Sequence, residues 1–247
     1  PPPRPMAAVL RPATAYLSTA AAGSRRRAVV TGATGYLATE LIFQLLQRGY
    51  LVRGTARNIN AARLALAPVA AAAGAVPGEL ELVELPDLTT ASSSLPSVLE
   101  DCDVLFHTAS PFFPAAPGVD VRRALLEPAV LGTRHVLTAA AEAQGGGGCL
   151  DRVVLTSSIA AVRGGESVPG NGSFFTEEDW NVSSKADGGG FEPYLLSKTL
   201  AEREAWLVAE QEGLDLVSVN PAFLVGPPRV PRQGSTSVEF MRTWLER

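Results

Sequence analysis

The stretch AVVTGATGYLATELIFQLLQRG, residues 28–49, decides the fold of this chain. The run AVVT is rich in β-branched residues, as in a buried strand, and the apolar residues after the glycines have helical spacing. Gly32 permits a tight turn, Gly35 lets a backbone approach a pyrophosphate, and the small Ala38 lets the helix pack on the sheet. This turn predicts a dinucleotide site at the helix N-terminus, and an ordinary strand–helix turn is the alternative.

The rest of the chain continues this alternation of strands and helices. Further strands are predicted at residues 51–56, 80–84, 103–106, 152–156 and 214–219. Helices are predicted at residues 36–48, 60–73, 95–100, 119–143, 193–211 and 237–246, with a kink at Pro128. Such alternation is typical of parallel strands covered by helices, so the predicted class is α/β, a Rossmann-type doubly wound parallel sheet with helices on both faces.

Composition and charge exclude several classes of protein. The chain has 247 residues, of which 46% are hydrophobic and 19% charged, so it can bury a core and is not wholly disordered. Its net charge of −4 gives no electrostatic reason to expect a nucleic-acid partner. The most apolar window, residues 64–76, is short and interrupted by Pro68, so no membrane span is predicted. Cys102 and Cys149 are too few for a disulfide framework and are expected to be reduced, although one bridge between them is conceivable.

The two ends of the sequence differ from its middle. Residues 1–26 are rich in Pro, Ala, Ser and Thr, and the first 27 residues contain five arginines and no acidic residue. This composition is typical of an organelle transit peptide, and a disordered leader is the alternative. The predicted domains are this leader, a nucleotide-binding domain at residues 27–220, and the start of a substrate-binding region at residues 221–247. The predicted location is the cytoplasm, or a plastid or mitochondrion if the leader is a transit peptide.

The second strand indicates which dinucleotide is bound. In NAD-binding sheets a carboxylate usually follows this strand and binds the ribose 2′-hydroxyl. Here no Asp or Glu occurs between Glu40 and Glu79, whereas Arg53 lies in the strand and Arg57 just after it. A guanidinium suits a 2′-phosphate, so these residues favour NADP over NAD, with Arg57 as the contact. Arg53 is either a second contact or a solvated strand residue.

Three residues suggest proton transfer. The chain contains only two lysines, and one of them, Lys198, lies four residues after Tyr194 on the same face of a predicted helix. A lysine ammonium beside a phenol would lower its pKa and make it a usable acid. Ser158 follows the fifth strand, at the sheet edge where ligands of open α/β sheets bind, and its hydroxyl can hold a carbonyl oxygen.

Other polar residues are interpreted as structural. His107 ends a buried strand and is expected to pack there, and the helical residues 202–204 (Glu-Arg-Glu) are expected to form a solvated face. No metal site is predicted at Asp101 and Asp103, which flank a cysteine at a strand start. Residues 163–192, rich in Gly, Ser and Asn, form a long segment of the kind that is more often functional than idle.

Seven stretches resemble the extended short-chain dehydrogenase/reductases, in particular the group of plant dihydroflavonol reductases, cinnamoyl-CoA reductases and fungal NADPH-dependent aldehyde (methylglyoxal-type) reductases. They occur in family order over roughly residues 27–230. They are VVTGATGYLA (29–38), RGTARN (53–58), FHTASPF (106–112), RVVLTSSIAAV (152–162), FTEEDWN (175–181), YLLSKTLAEREAW (194–206) and VNPAFLVGPP (219–228).

The resemblance implies an NADPH-dependent reductase of a small-molecule aldehyde or ketone. It implies that Tyr194 donates the proton, that Lys198 binds the nicotinamide ribose and tunes Tyr194, and that Ser158 orients the carbonyl. The cofactor residues that it implies are Gly32, Gly35, Tyr36 and Leu37 at the pyrophosphate, Arg57 at the 2′-phosphate, Asp87 and Leu88 near adenine, Thr108, Ala109 and Ser110 beside the cofactor, and Pro221 near the carboxamide.

At two positions the sequence differs from motifs of the related reductases, which limits the substrate classes that the resemblance implies. Phe-Glu-Pro stands before Tyr194 in place of the cinnamoyl-CoA reductase signature, and Arg163 stands where dihydroflavonol reductases carry Asn or Asp. These differences count against the two plant activities. The stretch HTASPF, the Ala-Ala-Val after Ser158 and the acidic-Trp-Asn segment are more similar to the fungal aldehyde and ketone reductases. The family usually continues well beyond this length, so the chain is expected to lack most of its substrate-binding region. A nucleotide-sugar epimerase or dehydratase and a catalytically silent NADP-binding subunit are the alternatives, and the oligomeric state is left open.

Overall fold

A computed structural model of the chain describes residues 25–90, 94–110, 118, 120–165, 168–170, 172, 174–231 and 236–246. Within these residues, six strands form one sheet: β1 (Arg27–Val30), β2 (Leu51–Ala56), β3 (Leu80–Glu84), β4 (Val104–His107), β5 (Arg152–Thr156) and β6 (Leu216–Val219). The strand order is β3-β2-β1-β4-β5-β6, and every neighbouring pair is parallel. This is the order of the doubly wound Rossmann sheet, so the predicted fold class is confirmed.

Helices pack on both faces of this sheet. They are α1 (Tyr36–Gln47), α2 (Ile59–Ala72), α3 (Leu95–Leu99), α4 (Glu127–Gly145) and α5 (Glu192–Glu212). A further helix, α6 (Thr236–Leu245), follows β6 in the chain. Successive side chains of a strand point to opposite faces, so Val29 joins the core formed with α3, α4 and α5, whereas Ala28 and Val30 join the core formed with α1 and α2. All three are fully buried, which explains why β1 is apolar after its first residue, Arg27.

The long helix predicted at residues 119–143 is divided near Pro128. A π-helical turn spans Arg122–Leu126, and α4 begins at Glu127, directly before the proline. Pro128 has no backbone N–H and cannot donate to the carbonyl of Ala124, so the helical hydrogen bonding is interrupted here. The discontinuity predicted as a kink therefore takes the form of a π-turn.

The last strand, β6, begins two residues later than predicted because the residues before it form the C-terminal cap of α5. Gly213 ends α5 in the left-handed conformation, with a φ of 69°. The N–H of Leu214 then donates to the carbonyl of Ala209 at 3.0 Å. Leu214 therefore closes the helix and is not part of the sheet.

The first described residues, Arg25 and Arg26, form ion pairs with residues next to the sheet. The Arg25 guanidinium bonds to Glu79, and Arg26 donates to the carboxylate of Asp151 at 2.7 Å. The rest of the predicted leader, residues 1–24, lies outside the described residues, so the transit peptide and the location stay predictions. In the described part of the chain, no helix has both the length and the apolar character that crossing a membrane requires.

Candidate active site

The carboxyl ends of β1, β2 and β4 meet at the glycine turn. Gly32 has a φ of +67°, and a Cβ built on it would lie 3.1 Å from the Cβ of Ala109, which follows β4. The N–H of Gly35 donates to the carbonyl of Gly32, and the N–H of Ala33 donates to the carbonyl of Thr55, each at 2.8 Å. Glycine is required at position 32 because of both its backbone conformation and the close approach of Ala109.

Thr31 holds the loop after β4 against this turn. Its hydroxyl oxygen accepts from the N–H groups of Thr108 and Ala109, both at 3.1 Å, and lies 2.9 Å from Nδ1 of His107. Because the oxygen accepts two hydrogen bonds, its own proton points to Nδ1, which leaves the imidazole proton on Nε2. Burial, and secondarily the charge of Lys198, lowers the pKa of His107 to about 3, so this ring is neutral and structural.

The N-terminus of α1 opens toward the same edge. Within the described residues, no side chain caps Gly35, and the first turn of α1 contains no acidic residue. Its unpaired N–H groups and the helix dipole suit an anion. Leu37, the residue after Tyr36, is half-buried. The Tyr36 hydroxyl donates to the carbonyl of Gly226 at 2.6 Å. The turn is thereby tied to the segment after β6.

Ser158, Tyr194 and Lys198 come together at the carboxyl end of β5. The Ser158 hydroxyl accepts from the N–H of Ala160 at 3.1 Å, and it lies close enough to the Tyr194 phenol to lower the pKa of that phenol. Lys198 lies one turn further along α5 and is buried. Its ammonium forms no hydrogen bond or ion pair with another residue in the described ranges, so its donors are available to a ligand. The three predicted catalytic residues thus share one site, and their roles stay predictions.

Burial dominates the acidity of these groups. It raises the pKa of Tyr194, and the hydrogen bond with Ser158 acts in the opposite direction. It lowers the pKa of Lys198 to about 8, against the opposing charge of Glu202. In this structure the pKa of the phenol therefore lies above its ordinary value, and the phenol is protonated at neutral pH. The tuning of Tyr194 by Lys198 stays a prediction.

Glu202 is not on a solvated face, contrary to the prediction. Its side chain is completely buried, and Oε2 accepts from the hydroxyl of Ser157 at 2.5 Å and from Nδ2 of Asn220 at 2.6 Å, while Oε1 accepts from Nε1 of Trp206 at 3.3 Å. The Asn220 amide also donates to the carbonyl of Ser158 at 3.0 Å. The Glu202 carboxylate therefore joins the ends of β5 and β6 next to Ser158.

Arg203 and Glu204, the two residues after Glu202, also contact side chains of other elements. Glu204 accepts from Nε of Arg134 at 2.5 Å, and the Arg203 guanidinium lies 5.1 Å from the ring centre of Trp180. The helix face at residues 202–204 packs against neighbouring elements because α5 runs between α4 and the loops around the site.

Lys198 and Glu202 line the same small cavity. Its volume is about 10 Å³, the lower limit for one water molecule. His107, Ser110 and Ser157 contribute polar groups to its wall. Glu202 lies four residues after Lys198, the same spacing that identified Tyr194, so its position on this helix face could have been found from the sequence.

The two arginines of the second strand have different surroundings. The Nε of Arg53 donates to Glu81 at 2.7 Å, and its Nη1 donates to the carbonyl of Val98 in α3 at 2.8 Å. Arg53 therefore joins α3 to the sheet, and both interpretations given for it above are wrong. Arg57 is exposed and forms no ion pair with any residue that the structure describes.

The remaining predicted cofactor residues lie in loops that follow other strands. The Asp87 carboxylate accepts from the N–H and the hydroxyl of Thr89 at 2.7 and 2.9 Å, which holds the pKa of Asp87 below its ordinary value. Leu88 packs against the core, and the carbonyl of Pro221 accepts from the N–H of Ile159 at 3.0 Å. Within the described part of the chain, no hydrogen bond links Asp87 or Leu88 to the glycine turn.

Asn181 anchors the long segment at residues 163–192. Its Nδ2 donates to the carbonyl of Ala160 and its backbone N–H to the carbonyl of Ala161, both at 2.9 Å. These two alanines belong to the 3₁₀ turn that follows Ser158. Asn181, which sequence reasoning did not single out, therefore supports the loop that carries Ser158.

Comparison with known proteins places this geometry in a family. Residues 28–246 match the NAD dependent epimerase/dehydratase family, which accounts for most of the chain. The chain belongs to this family. The resemblance to extended short-chain dehydrogenase/reductases is thereby confirmed, and the glycine turn and the Ser158, Tyr194 and Lys198 cluster lie within the matched residues.

Several named reductases are similar to this chain. Cinnamoyl-CoA reductase CAD2 of Medicago truncatula is 36% identical over 204 residues, which are 80% of this chain and 57% of the relative. Tetraketide alpha-pyrone reductase 1 of Arabidopsis thaliana is 36% identical over 222 residues, which are 88% of this chain and 63% of the relative. The structure of yeast methylglyoxal/isovaleraldehyde reductase Gre2 complexed with NADPH has a TM-score of 0.69 at 30% identity and covers 82% of this chain and 59% of that one. The chain thus spans about three fifths of the length of these relatives.

Proposed function

We propose that this chain is the nucleotide-binding and catalytic part of an NADPH-dependent reductase that acts on an aldehyde or ketone. The observation that carries the proposal is that Ser158, Tyr194 and the buried Lys198 come together at the same sheet edge as the glycine turn. The three similar proteins described above are named as reductases, which supports the same reaction class.

The residues at this edge fit NADP(H). The glycine turn leaves space at Gly32 that a Cβ would fill, and the open N-terminus of α1 suits a pyrophosphate. The exposed Arg57 is a cation that a 2′-phosphate can reach. The ammonium of Lys198, which has no hydrogen-bond partner among the described residues, suits the ribose hydroxyls. Asp87, Leu88, Thr108, Ala109, Ser110 and Pro221 are assigned to the rest of the cofactor by resemblance.

The side chains at the end of β5 can complete the reduction of a carbonyl. NADPH, when bound, supplies the hydride for the carbonyl carbon. The Ser158 hydroxyl holds the carbonyl oxygen, and Tyr194, whose phenol is protonated at neutral pH, donates its proton to that oxygen. The positive charge of Lys198 stabilises the tyrosinate that is left. The carbonyl becomes an alcohol, and the proton of Tyr194 is later replaced from solvent.

An aromatic side chain stands beside the proton donor. The ring of Phe191 makes an edge contact with Tyr194, with a centroid distance of 6.4 Å, and 46% of its surface is exposed. This apolar surface suits a small or aromatic carbonyl compound rather than a charged sugar nucleotide. It favours the reductase over the epimerase or dehydratase that the sequence left open.

Binding and turnover can be measured separately. NADPH fluorescence is titrated with the protein, and NADPH oxidation is then followed with a panel of aliphatic and aromatic aldehydes and ketones. We expect tight binding and turnover of at least one carbonyl class. Binding without turnover would favour the silent NADP-binding subunit, and conversion of a nucleotide sugar without net NADPH oxidation would favour the epimerase.

Replacing Arg57 with alanine tests the preference for NADPH. We expect NADPH to bind about 10 to 100 times more weakly, because a charge-assisted hydrogen bond to the 2′-phosphate is lost, while NADH binding is unchanged. Arg63→Ala, which removes an exposed arginine of α2, is the control and should leave both affinities unchanged. An unaltered NADPH preference in Arg57→Ala would place 2′-phosphate recognition elsewhere.

A further inference from the structure

The completely buried Glu202 has a set of partners that suits a negative charge. Nε1 of Trp206 and Nδ2 of Asn220 can only donate, and both point at the carboxylate together with the hydroxyl of Ser157. Both oxygens of Glu202 therefore accept hydrogen bonds. A glutamine amide at position 202 would point its N–H₂ group, a donor, at one of these donors, and that hydrogen bond would be lost.

The balancing positive charge lies one helical turn away. Lys198 and Glu202 are four residues apart on the inner face of α5, and both line the small cavity at the end of β5. His107 is the other titratable side chain on the cavity wall, and it is neutral because burial lowers its pKa to about 3. Tyr194, one turn before Lys198, is also uncharged. Among the residues that line this cavity, Lys198 and Glu202 are therefore the two that carry the charges of opposite sign.

We propose that Glu202 is a positioning residue for Lys198, whose ammonium it keeps charged inside the protein by supplying the opposite charge across the cavity. Lys198 is buried with no direct partner in the described chain, and a buried ammonium without an opposing charge would release its proton. The direction of the effect of Glu202 on the pKa of Lys198, upward, agrees with this role. The effect of Glu202 on turnover rests on the proposed function, whereas its effect on the charge of Lys198 does not.

The two lysines of the chain make a direct test practical. In protein labelled with ¹³C at lysine Cε, Lys198 and the exposed Lys185 account for all lysine signals, so the titration of Lys198 can be followed by NMR without any substrate. In Glu202→Gln we expect Lys198 to lose its proton at lower pH than in the unsubstituted protein. Lys185 shows whether the substitution has a general effect. Glu204→Gln, two residues further along α5, is the matched control and should leave the Lys198 titration unchanged.

The same variants link the charge to turnover. The alkaline limb of the kcat profile should move to lower pH in Glu202→Gln, with kcat reduced roughly tenfold at pH 8 and much less at pH 6, and with little change in KM. A purely structural role would lower kcat equally at both pH values. This comparison needs an active enzyme, whereas the NMR titration does not, so failure of the proposed reaction leaves the inference testable.

An unchanged Lys198 titration in folded Glu202→Gln would overturn the proposal. Glu202→Asp moves the carboxylate back by one methylene and should shift the Lys198 titration in the same direction but by less. It takes the place of the glutamine variant if that variant does not fold. An unchanged titration in the aspartate variant would then count against the proposal in the same way.

Discussion

Tyr194→Phe is expected to lower kcat for carbonyl reduction by about 1,000-fold, while NADPH binds with nearly unchanged affinity. The phenol beside Ser158 is protonated at neutral pH, and phenylalanine has no proton to donate to the carbonyl oxygen. The ring and its edge contact with Phe191 are retained, so the site should keep its shape. Stopped-flow measurement of NADPH oxidation gives the chemical rate, and fluorescence titration gives the affinity.

Tyr50→Phe is the matched control for this substitution. Tyr50 precedes β2 at the opposite end of the sheet and packs against the core formed with α1 and α2. Its replacement should leave both kcat and NADPH affinity unchanged. Comparable turnover by Tyr194→Phe and the unsubstituted protein would remove Tyr194 from the role of proton donor.

Gly32→Ala is expected to weaken NADPH binding by at least about tenfold. The new Cβ would lie 3.1 Å from the Cβ of Ala109, and the backbone at this position has a φ of +67°. The turn or the loop after β4 must therefore shift, and both lie where the pyrophosphate and nicotinamide ribose are expected. Fluorescence titration measures the affinity, and urea unfolding measures the accompanying loss of stability.

Gly49→Ala separates backbone strain from the steric contact. Gly49 has a φ of +80°, and a Cβ on it would meet nothing within 4 Å. Both variants should lose about 1 kcal/mol of unfolding free energy because alanine is disfavoured at positive φ, and Gly32→Ala should lose more because of its contact with Ala109. Only Gly32→Ala should lose NADPH affinity, and equal affinity in the two variants would mean that the glycine turn does not contact the cofactor.

Local pattern was enough to predict most of the fold. The strands at residues 51–56, 80–84 and 152–156 are at the predicted positions, and the glycine turn lies between β1 and α1. Strand and helix periodicity depends on neighbours two to four residues away, so it can be read along the chain. The spacing of Tyr194 and Lys198 is equally local, and it placed both residues on one face of α5.

Arg53 and Glu202 show where local pattern was insufficient. Both are charged residues on regular elements, and solvent exposure is the usual expectation for such residues. Arg53 is instead bonded to α3, more than 40 residues later, and Glu202 accepts hydrogen bonds from the ends of β5 and β6. These partners are distant in the sequence and come together only when the sheet is assembled.

The sequence by itself determined the Rossmann-type sheet, the glycine turn and the residue types at the site, because each follows from spacing along a single strand, turn or helix. Only the tertiary structure decided that Glu202 shares a cavity with Lys198, that Arg53 supports α3 while Arg57 is exposed, and that burial raises the pKa of the Tyr194 phenol. Burial and charge pairing depend on which elements pack together. Those elements are distant in the sequence, so the spacing of residues along one element does not reveal them.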